Sequence, residues 1–230
     1  MPSLVLDAPT LRMASYVMFG GTLAYAASVV VSALRAQRGD APATGVLGWS
    51  AQMDAVEGYP PGHGERVAAF AVAMADRYGL SQEVSDALHM AGLLHDVGEL
   101  DMAFIAQQGA LTAEETTTLW THPVVGAQMV EEAGYPEAAA IIRHHHERWD
   151  GAGYPDRLRG EAIPLTARIL AVADCYEAFC HDRPYRPGFG PDQALDEVKR
   201  RAGILLDPQV VQIFCALQDG AAPDPVSVEF

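Results

Sequence analysis

From residue 63 onward the apolar positions recur at intervals of three and four, as in Val67, Phe70, Ala71 and Met74 and again in Val84, Leu88 and Ala91. That spacing lays one apolar stripe along a helix. No stretch keeps up the two-residue alternation of a half-buried strand. The pattern predicts helices at 63–78, 82–95, 113–119, 122–132, 136–146, 164–180, 191–201 and 208–217. Their starts carry local signals: Ser81 is placed to cap the second helix, Thr112 and Glu115 have capping-box spacing, and Pro164 and Pro208 suit first turns. The expectation is an all-α bundle without internal repeats.

Upstream the pattern changes. Met13 to Leu34 is a run of 22 residues without a charge, bounded by Arg12 and by Arg35 and Arg38. Its length suits a transmembrane helix, and the arginines that follow predict a cytoplasmic location for the rest of the chain. Gly20, Gly21, Thr22 and three serines within the run suit a buried packing helix as well. The start "MPSLVLDAPT" lacks the basic region of a signal peptide. Residues 36–62, rich in Gly, Ala and Pro, read as a linker and the entrance to the main domain. The organisation expected is a hydrophobic segment with linker over 1–48 and one helical domain over 49–230.

Half of the 230 residues are apolar, enough for a real core, but the formal net charge is −15. That charge argues against a nucleic-acid polymer as partner, since each phosphate would approach against the protein's own field. A small anionic ligand needs only local positive charge, and seven of the fifteen basic residues lie between Arg143 and Arg186. Cys175, Cys180 and Cys215 are odd in number and lack CxxC spacing, so neither a disulfide framework nor a thiolate metal site is indicated.

The eight histidines carry the chemistry. His95-Asp96 closes the apolar run "ALHMAGLL" just before Gly98. His63 and His122 each stand at a helix start, and His145-His146 stand at a helix end, where adjacent side chains diverge by about 100° and could serve two different metals. Asp174 lies in "RILAVADCYEAF", a run so apolar that an acid there must be paired, metal-bound or at a rim. Taken singly, His95 would ordinarily be a capping or core residue, and His63 and His122 ordinary surface residues. Together the positions supply five imidazoles and two carboxylates from five segments, a donor set suited to Fe, Mn or Zn rather than to Ca or Mg. Two cations about 3.5–4 Å apart sharing a bridging Asp would stabilise the attacking and leaving oxygens of phosphoester hydrolysis.

In their order, "HGERV", "LLHDVG", "LTAEE…THPVVGAQMV", "HHERWDGAGYP", "IPLTARILAVADCYEAF", "DRPYRP" and "LLDPQVV" closely resemble the HD-GYP domain, a branch of the HD phosphohydrolase superfamily, over about residues 60 to 217. The resemblance implies an HD-superfamily helical bundle holding two or three metal ions, often iron or manganese, and hydrolysing the bacterial second messenger cyclic di-GMP to pGpG or GMP. By motif position it implies His63, His95, Asp96, His122, His145, His146 and Asp174 as metal ligands, with Asp96 bridging. Arg183 and Arg186 would meet substrate phosphate or guanine, and Tyr154 with Pro155 would shape the loop beside the site. With the run at 13–34, the expected location is the bacterial inner membrane with the catalytic domain cytoplasmic; the alternative is a soluble cytoplasmic protein. A homodimer or partnership with a cyclase-domain protein is compatible with either.

Three positions depart from the family pattern. "HDVGE" puts Glu99 where the family's HDxGK has a substrate-contacting lysine, and the chain's one lysine is Lys199. Members with three metals have a Glu four residues before the first histidine, where this chain has Tyr59. Arg157 replaces the more usual Gly before a Leu. Two metals are therefore expected, with a third if Glu99 is itself a ligand and so joins Asp96 in the catalytic set. Three functions stay open: a cyclic di-GMP phosphodiesterase, a weak or inactive module that binds nucleotide or a signalling partner, and a phosphohydrolase of another cyclic nucleotide or phosphate ester.

Overall fold

The computed structural model describes residues 48–50, 52–53, 56, 61–105, 110–182 and 187–220. All of them belong to the second of the two units into which the chain divides, Thr44–Phe230. The uncharged run at 13–34, Tyr59, Arg183 and Arg186 lie outside the described residues.

Among the described residues from 61 onward, eight α-helices follow one another: α1 (His63–Tyr78), α2 (Gln82–Leu94), α3 (Ala113–Leu119), α4 (His122–Glu132), α5 (Pro136–His144), α6 (Leu165–Cys180), α7 (Pro191–Arg201) and α8 (Pro208–Gln218). No strand occurs among the described residues, only an isolated bridge between Ala202 and Leu206. The periodicity located these eight, whereas the helical residues at 48–50, 52–53 and 56 fall in the stretch read as linker and domain entrance. Two ends differ in a way that matters: α2 stops at Leu94 and α5 at His144, so His95, His145 and His146 leave their helices instead of continuing them.

The bundle contains the same construction twice. α1 ends on Gly79 in the left-handed conformation (φ 66°), and the Leu80 N–H returns to the Ala75 carbonyl. α4 ends in the same way, with Gly134 at φ 92° and the Tyr135 N–H on the Val130 carbonyl. Both are glycine-terminated helix ends that reverse the chain within a few residues. α2 folds back on α1 and α5 on α4. An antiparallel hairpin places the start of its first helix beside the end of its second, and in each hairpin both of those positions are histidines.

α6 is the common support. Ile169, Leu170, Val172 and Ala173 are fully buried, and the helix packs on α1, α2, α5, α7 and α8. Phe70 of α1, Tyr176 of α6 and Phe214 of α8 meet edge to face, with ring centroids 4.8–5.6 Å apart. The hairpins touch where the 3₁₀ turn Val97–Glu99 lies on α4. A Cβ on Gly98 would fall 2.2 Å from the His122 carbonyl oxygen, so only glycine permits that approach.

Capping follows the sequence in part. Thr112 and Glu115 form the reciprocal capping box. Ser81 is the N-cap of α2, but its side chain caps no backbone N–H of the helix. Its hydroxyl instead holds the Glu83 carboxyl below its usual pKa. Pro208 occupies the first turn of α8, whereas Pro164 precedes α6 as its N-cap. Asp207 was not singled out in the sequence, yet it caps α8 by accepting from the Gln209 and Val210 N–H groups and pairs with Arg168 of α6 at 2.5 Å.

Candidate metal centre

The helix ends orient the imidazoles. His95 and His145 follow the last residues of α2 and α5 closely, and each ring turns back on its own helix: His95 Nδ1 is 3.0 Å from the Gly92 carbonyl, and His145 Nδ1 is 2.6 Å from that of Ile142. His122 begins α4 and reaches the Leu119 carbonyl at the end of α3, at 2.8 Å. A carbonyl only accepts, so each Nδ1 carries the proton and each Nε2 presents a lone pair. For His63 the acceptor is a carboxylate, Glu177 Oε2, at 2.5 Å.

Those lone pairs converge. His63 Nε2 lies 3.3 Å from His95 Nε2, and His122 Nε2 lies 3.4 Å from His145 Nε2. In their neutral form these rings face each other lone pair to lone pair, an arrangement that a cation between them would satisfy. Asp96 sits at the junction with its oxygens divided. Oδ2 is 3.1 Å from His95 Nε2 and 3.9 Å from His63 Nε2, while Oδ1 is 3.4 Å from His122 Nε2 and 3.7 Å from His145 Nε2. Asp174 of α6 completes the first side, with Oδ1 3.7 Å from both His63 and His95. His146 completes the second. The ligand atoms thus form two groups, His63–His95–Asp174 and Asp96–His122–His145–His146, each with all atoms within 4.8 Å of one another. This donor set of imidazoles and carboxylates fits divalent transition metals.

One expectation is corrected by this geometry. His145 and His146 do not diverge toward two metals; both fall in the second group, with ring centroids 4.0 Å apart. The 100° rule applies within a helix, and α5 has ended before either residue.

Electrostatics divides the two sides. Burial pushes the pKa of His122 down to about 4 against the pull of Asp96, and burial together with His145 and His122 pushes His146 well down. These rings are neutral donors at ordinary pH. Burial also disfavours charge on His95, but Asp96 and Asp174 outweigh it and raise that ring well above its usual value. The two carboxyls are held below the usual range, burial notwithstanding, by the surrounding imidazoles. The first side is built to hold positive charge.

Behind the donors lies a support the sequence reading missed. Glu177, one turn beyond Asp174 on α6 and 2% exposed, binds His63 Nδ1, accepts from Arg66 Nε and Nη2 at 2.8 and 2.6 Å, and meets His181 Nδ1 at 2.8 Å. Its partners hold its carboxyl below the usual range despite burial. Its signal was present: an acid three residues from Asp174 in the same apolar run. Glu99 was singled out, and it is 7% exposed with Oε1 3.3 Å from His122 Nδ1. It therefore stands behind the ring, on the edge opposite the Nε2 that faces Asp96, and belongs to neither donor group.

The stretch "HHHERWDGAGYP" both carries donors and turns a corner. Glu147, buried and also missed, accepts the N–H groups of Asp156 (2.6 Å) and Leu158 (3.0 Å) and so folds the loop back on its start. His144 and Arg143 grip Asp156 from the other side. Tyr154 consequently stacks on His146, with centroids 5.1 Å apart. Burial and the negative charges of Asp96, Glu99 and Asp174 keep its phenol protonated, with its pKa pushed well up. Arg157 adopts φ 56°, a left-handed conformation that glycine takes more readily, which is the physical reason for a glycine there in the family pattern.

The family model described as "HD domain" matches residues 51–210, and the chain belongs to the HD domain family. In its motif order it resembles the HD-GYP branch of that family. It is 39% identical over 152 residues to the cyclic di-GMP phosphodiesterase response regulator RpfG of Xanthomonas campestris, covering 64% of this chain and 40% of that protein. It is 32% identical over 156 residues to 3'3'-cGAMP-specific phosphodiesterase 2 of Vibrio cholerae, covering 66% of this chain and 30% of that protein. The chain thus spans well under half the length of these relatives. Among solved structures, a cyclic GMP-AMP phosphodiesterase of V. cholerae superposes with a TM-score of 0.62 at 24% identity, covering 76% of this chain and 48% of that one. The HD domain of the Listeria monocytogenes phosphodiesterase PgpH gives 0.51 at 14% identity, covering 74% and 92%. These two likenesses are of fold.

Proposed function

We propose that the domain is a metal-dependent phosphodiesterase of cyclic dinucleotides, with cyclic di-GMP as its substrate and pGpG or GMP as product. The observation that carries this reading is the pair of facing Nε2 contacts on either side of a divided Asp96 carboxylate. The named relatives support the substrate class. His63, His95 and Asp174 would hold one cation, and His122, His145 and His146 the other, with Asp96 shared. Bound there, two divalent transition-metal ions, iron or manganese by the family resemblance, would supply Lewis acidity at the phosphate and a nucleophile at neutral pH.

The chain's own groups do the rest. The Nδ1 bonds fix the imidazoles so that no ring reorientation is needed during turnover. Tyr154, held neutral beside His146, is a hydrogen-bond donor for a phosphate oxygen. Arg183 and Arg186 are proposed to meet phosphate or guanine as bidentate donors. Anaerobically purified protein loaded with Fe or Mn should hydrolyse cyclic di-GMP. Metal-replete protein that binds it without turnover would overturn the enzymatic reading.

That second reading, a nucleotide-binding module, draws support from Glu99. Where a lysine would attract phosphate, the chain has a buried acid beside His122. Rates on cyclic di-GMP against 3'3'-cGAMP test the substrate assignment in turn. We also propose that residues 13–34 anchor the protein in the bacterial inner membrane with this domain cytoplasmic, on the strength of the uncharged span and its arginine flank. No helix among the described residues is long and apolar enough to cross a membrane. Full-length protein remaining in the supernatant of a detergent-free high-speed spin would sink the anchor.

A further inference from the structure

We propose that Trp120 is a stacking platform for a purine base of the bound nucleotide, a binding subsite at the rim of the metal centre; this rests on the cyclic dinucleotide reading above. Trp120 directly follows α3 and stands two residues before His122, so the chain that delivers a donor to the second group also delivers an indole. The indole is 53% exposed, the most exposed large aromatic side chain among the described residues. A side chain of that size left in water forgoes much of the free energy its burial would return.

Its position is ordered. One face stacks on Tyr154, with centroids 5.6 Å apart and planes 26° apart, and Tyr154 stacks on His146 at 5.1 Å and 30°. His146, Tyr154 and Trp120 form a ladder of rings from the donor group out to solvent, with Tyr154 also edge-on to His122 at 6.5 Å. Val124 and Val125, on the first turn of α4, are exposed beside it in sequence and widen the apolar rim. The ligand chemistry follows from what such a rim can offer. The chain carries a net charge of −15, so beyond the charged contacts at the phosphate an anionic nucleotide gains from uncharged contacts at its base. A purine has two flat apolar faces, and a base with its phosphate on the metals has its ring within one sugar of that site. Stacking on an aromatic platform is tolerant of which purine is present, in keeping with a substrate class rather than one substrate.

The competing role for Trp120 is to shield Tyr154 and brace the loop. Trp120→Ala and Trp120→Phe in the full metal-loaded chain separate the two. A stacking subsite predicts that Trp120→Ala raises KM for cyclic di-GMP roughly tenfold or more, with the change falling on KM rather than kcat, metal content retained, and most of the loss recovered in Trp120→Phe. An unchanged KM overturns the subsite. A joint fall of kcat and metal content also overturns it, because that is the signature of a brace. Failure of the substrate reading looks different: the wild type is then inert toward cyclic dinucleotides. In that case GMP provides the probe. Quenching of indole fluorescence by GMP that disappears in Trp120→Ala keeps the subsite and removes only the substrate, and no quenching removes both.

Discussion

Hairpins α1–α2 and α4–α5 are made alike and finished differently. Each presents a histidine at its entry and another just past its exit, His63 with His95 and His122 with His145. The first receives two carboxylate oxygens, from Asp174 and from Asp96, and its entry histidine is fixed by Glu177 on a third helix. The second receives one oxygen of Asp96 and an additional imidazole from His146, and its entry histidine is fixed by a backbone carbonyl. A shared local design thus yields an anionic half and an imidazole-rich half. The burial is similar; the charge that α6 contributes to one side makes the difference. The first half should bind a hard divalent ion more tightly and the second should lose its ion first.

The largest effect expected is from Asp96→Ala, which removes the one group common to both halves and leaves facing imidazoles without a counter-charge. Metal content should fall from about two ions per chain toward zero and activity by about a thousandfold or more; Asp96→Ala protein with full metal content would sink the bridging role. Next is removal of metal from the wild type. Chelation removes cations that would bind only the folded site, so Tm should drop by several degrees and return on reloading with Mn, read by scanning calorimetry. An unchanged Tm would mean that neither half holds an ion.

Asp174→Ala and His146→Ala then set the halves against each other. Each should cost about one ion, but residual metal in His146→Ala should resist chelator longer than that in Asp174→Ala, and the reverse order would refute the charge argument. Glu177→Gln keeps the shape but weakens the hold on His63, for about a 10- to 100-fold loss of affinity on the first half alone. Equal loss on both halves would show that Glu177 supports the fold rather than the ring. Smallest is Glu99→Gln. Glu99 lies behind His122, whose Nδ1 already has a carbonyl acceptor, so metal content should stay at two ions. Loss of an ion would restore the ligation that the sequence suggested. Glu99→Lys, with metal unchanged, should raise turnover of cyclic di-GMP if the acid repels phosphate.

Much of the fold was legible because helices announce themselves locally. The apolar interval of three and four located all eight, and Thr112 with Glu115 marked a start that formed as expected. The seven candidate donors that the fold brings together were legible for a different reason: histidines gathered at helix ends and an acid inside an apolar run have few structural uses when they occur together. Charge and composition likewise disfavoured a polymer partner without reference to shape.

Tertiary structure alone decided the rest. The sequence could not divide seven donors into two groups, since that depends on two glycine turns, at Gly79 and Gly134, that return each chain to its starting end. It could not assign the two oxygens of Asp96 to different halves, because their directions follow from the Gly98 contact between hairpins. Glu177 carried a local signal, an acid in the same apolar run as Asp174, but its partners His63 and Arg66 lie on another helix, and nothing local separates Glu147, which holds a loop, from an exposed acid on a polar face. A hydrophobic stripe is a property of one segment, read within a few residues. A metal site is a property of distances between segments as much as 114 residues apart, and those are set only when α6 packs beneath both hairpins and carries Asp174 and Glu177 to one of them.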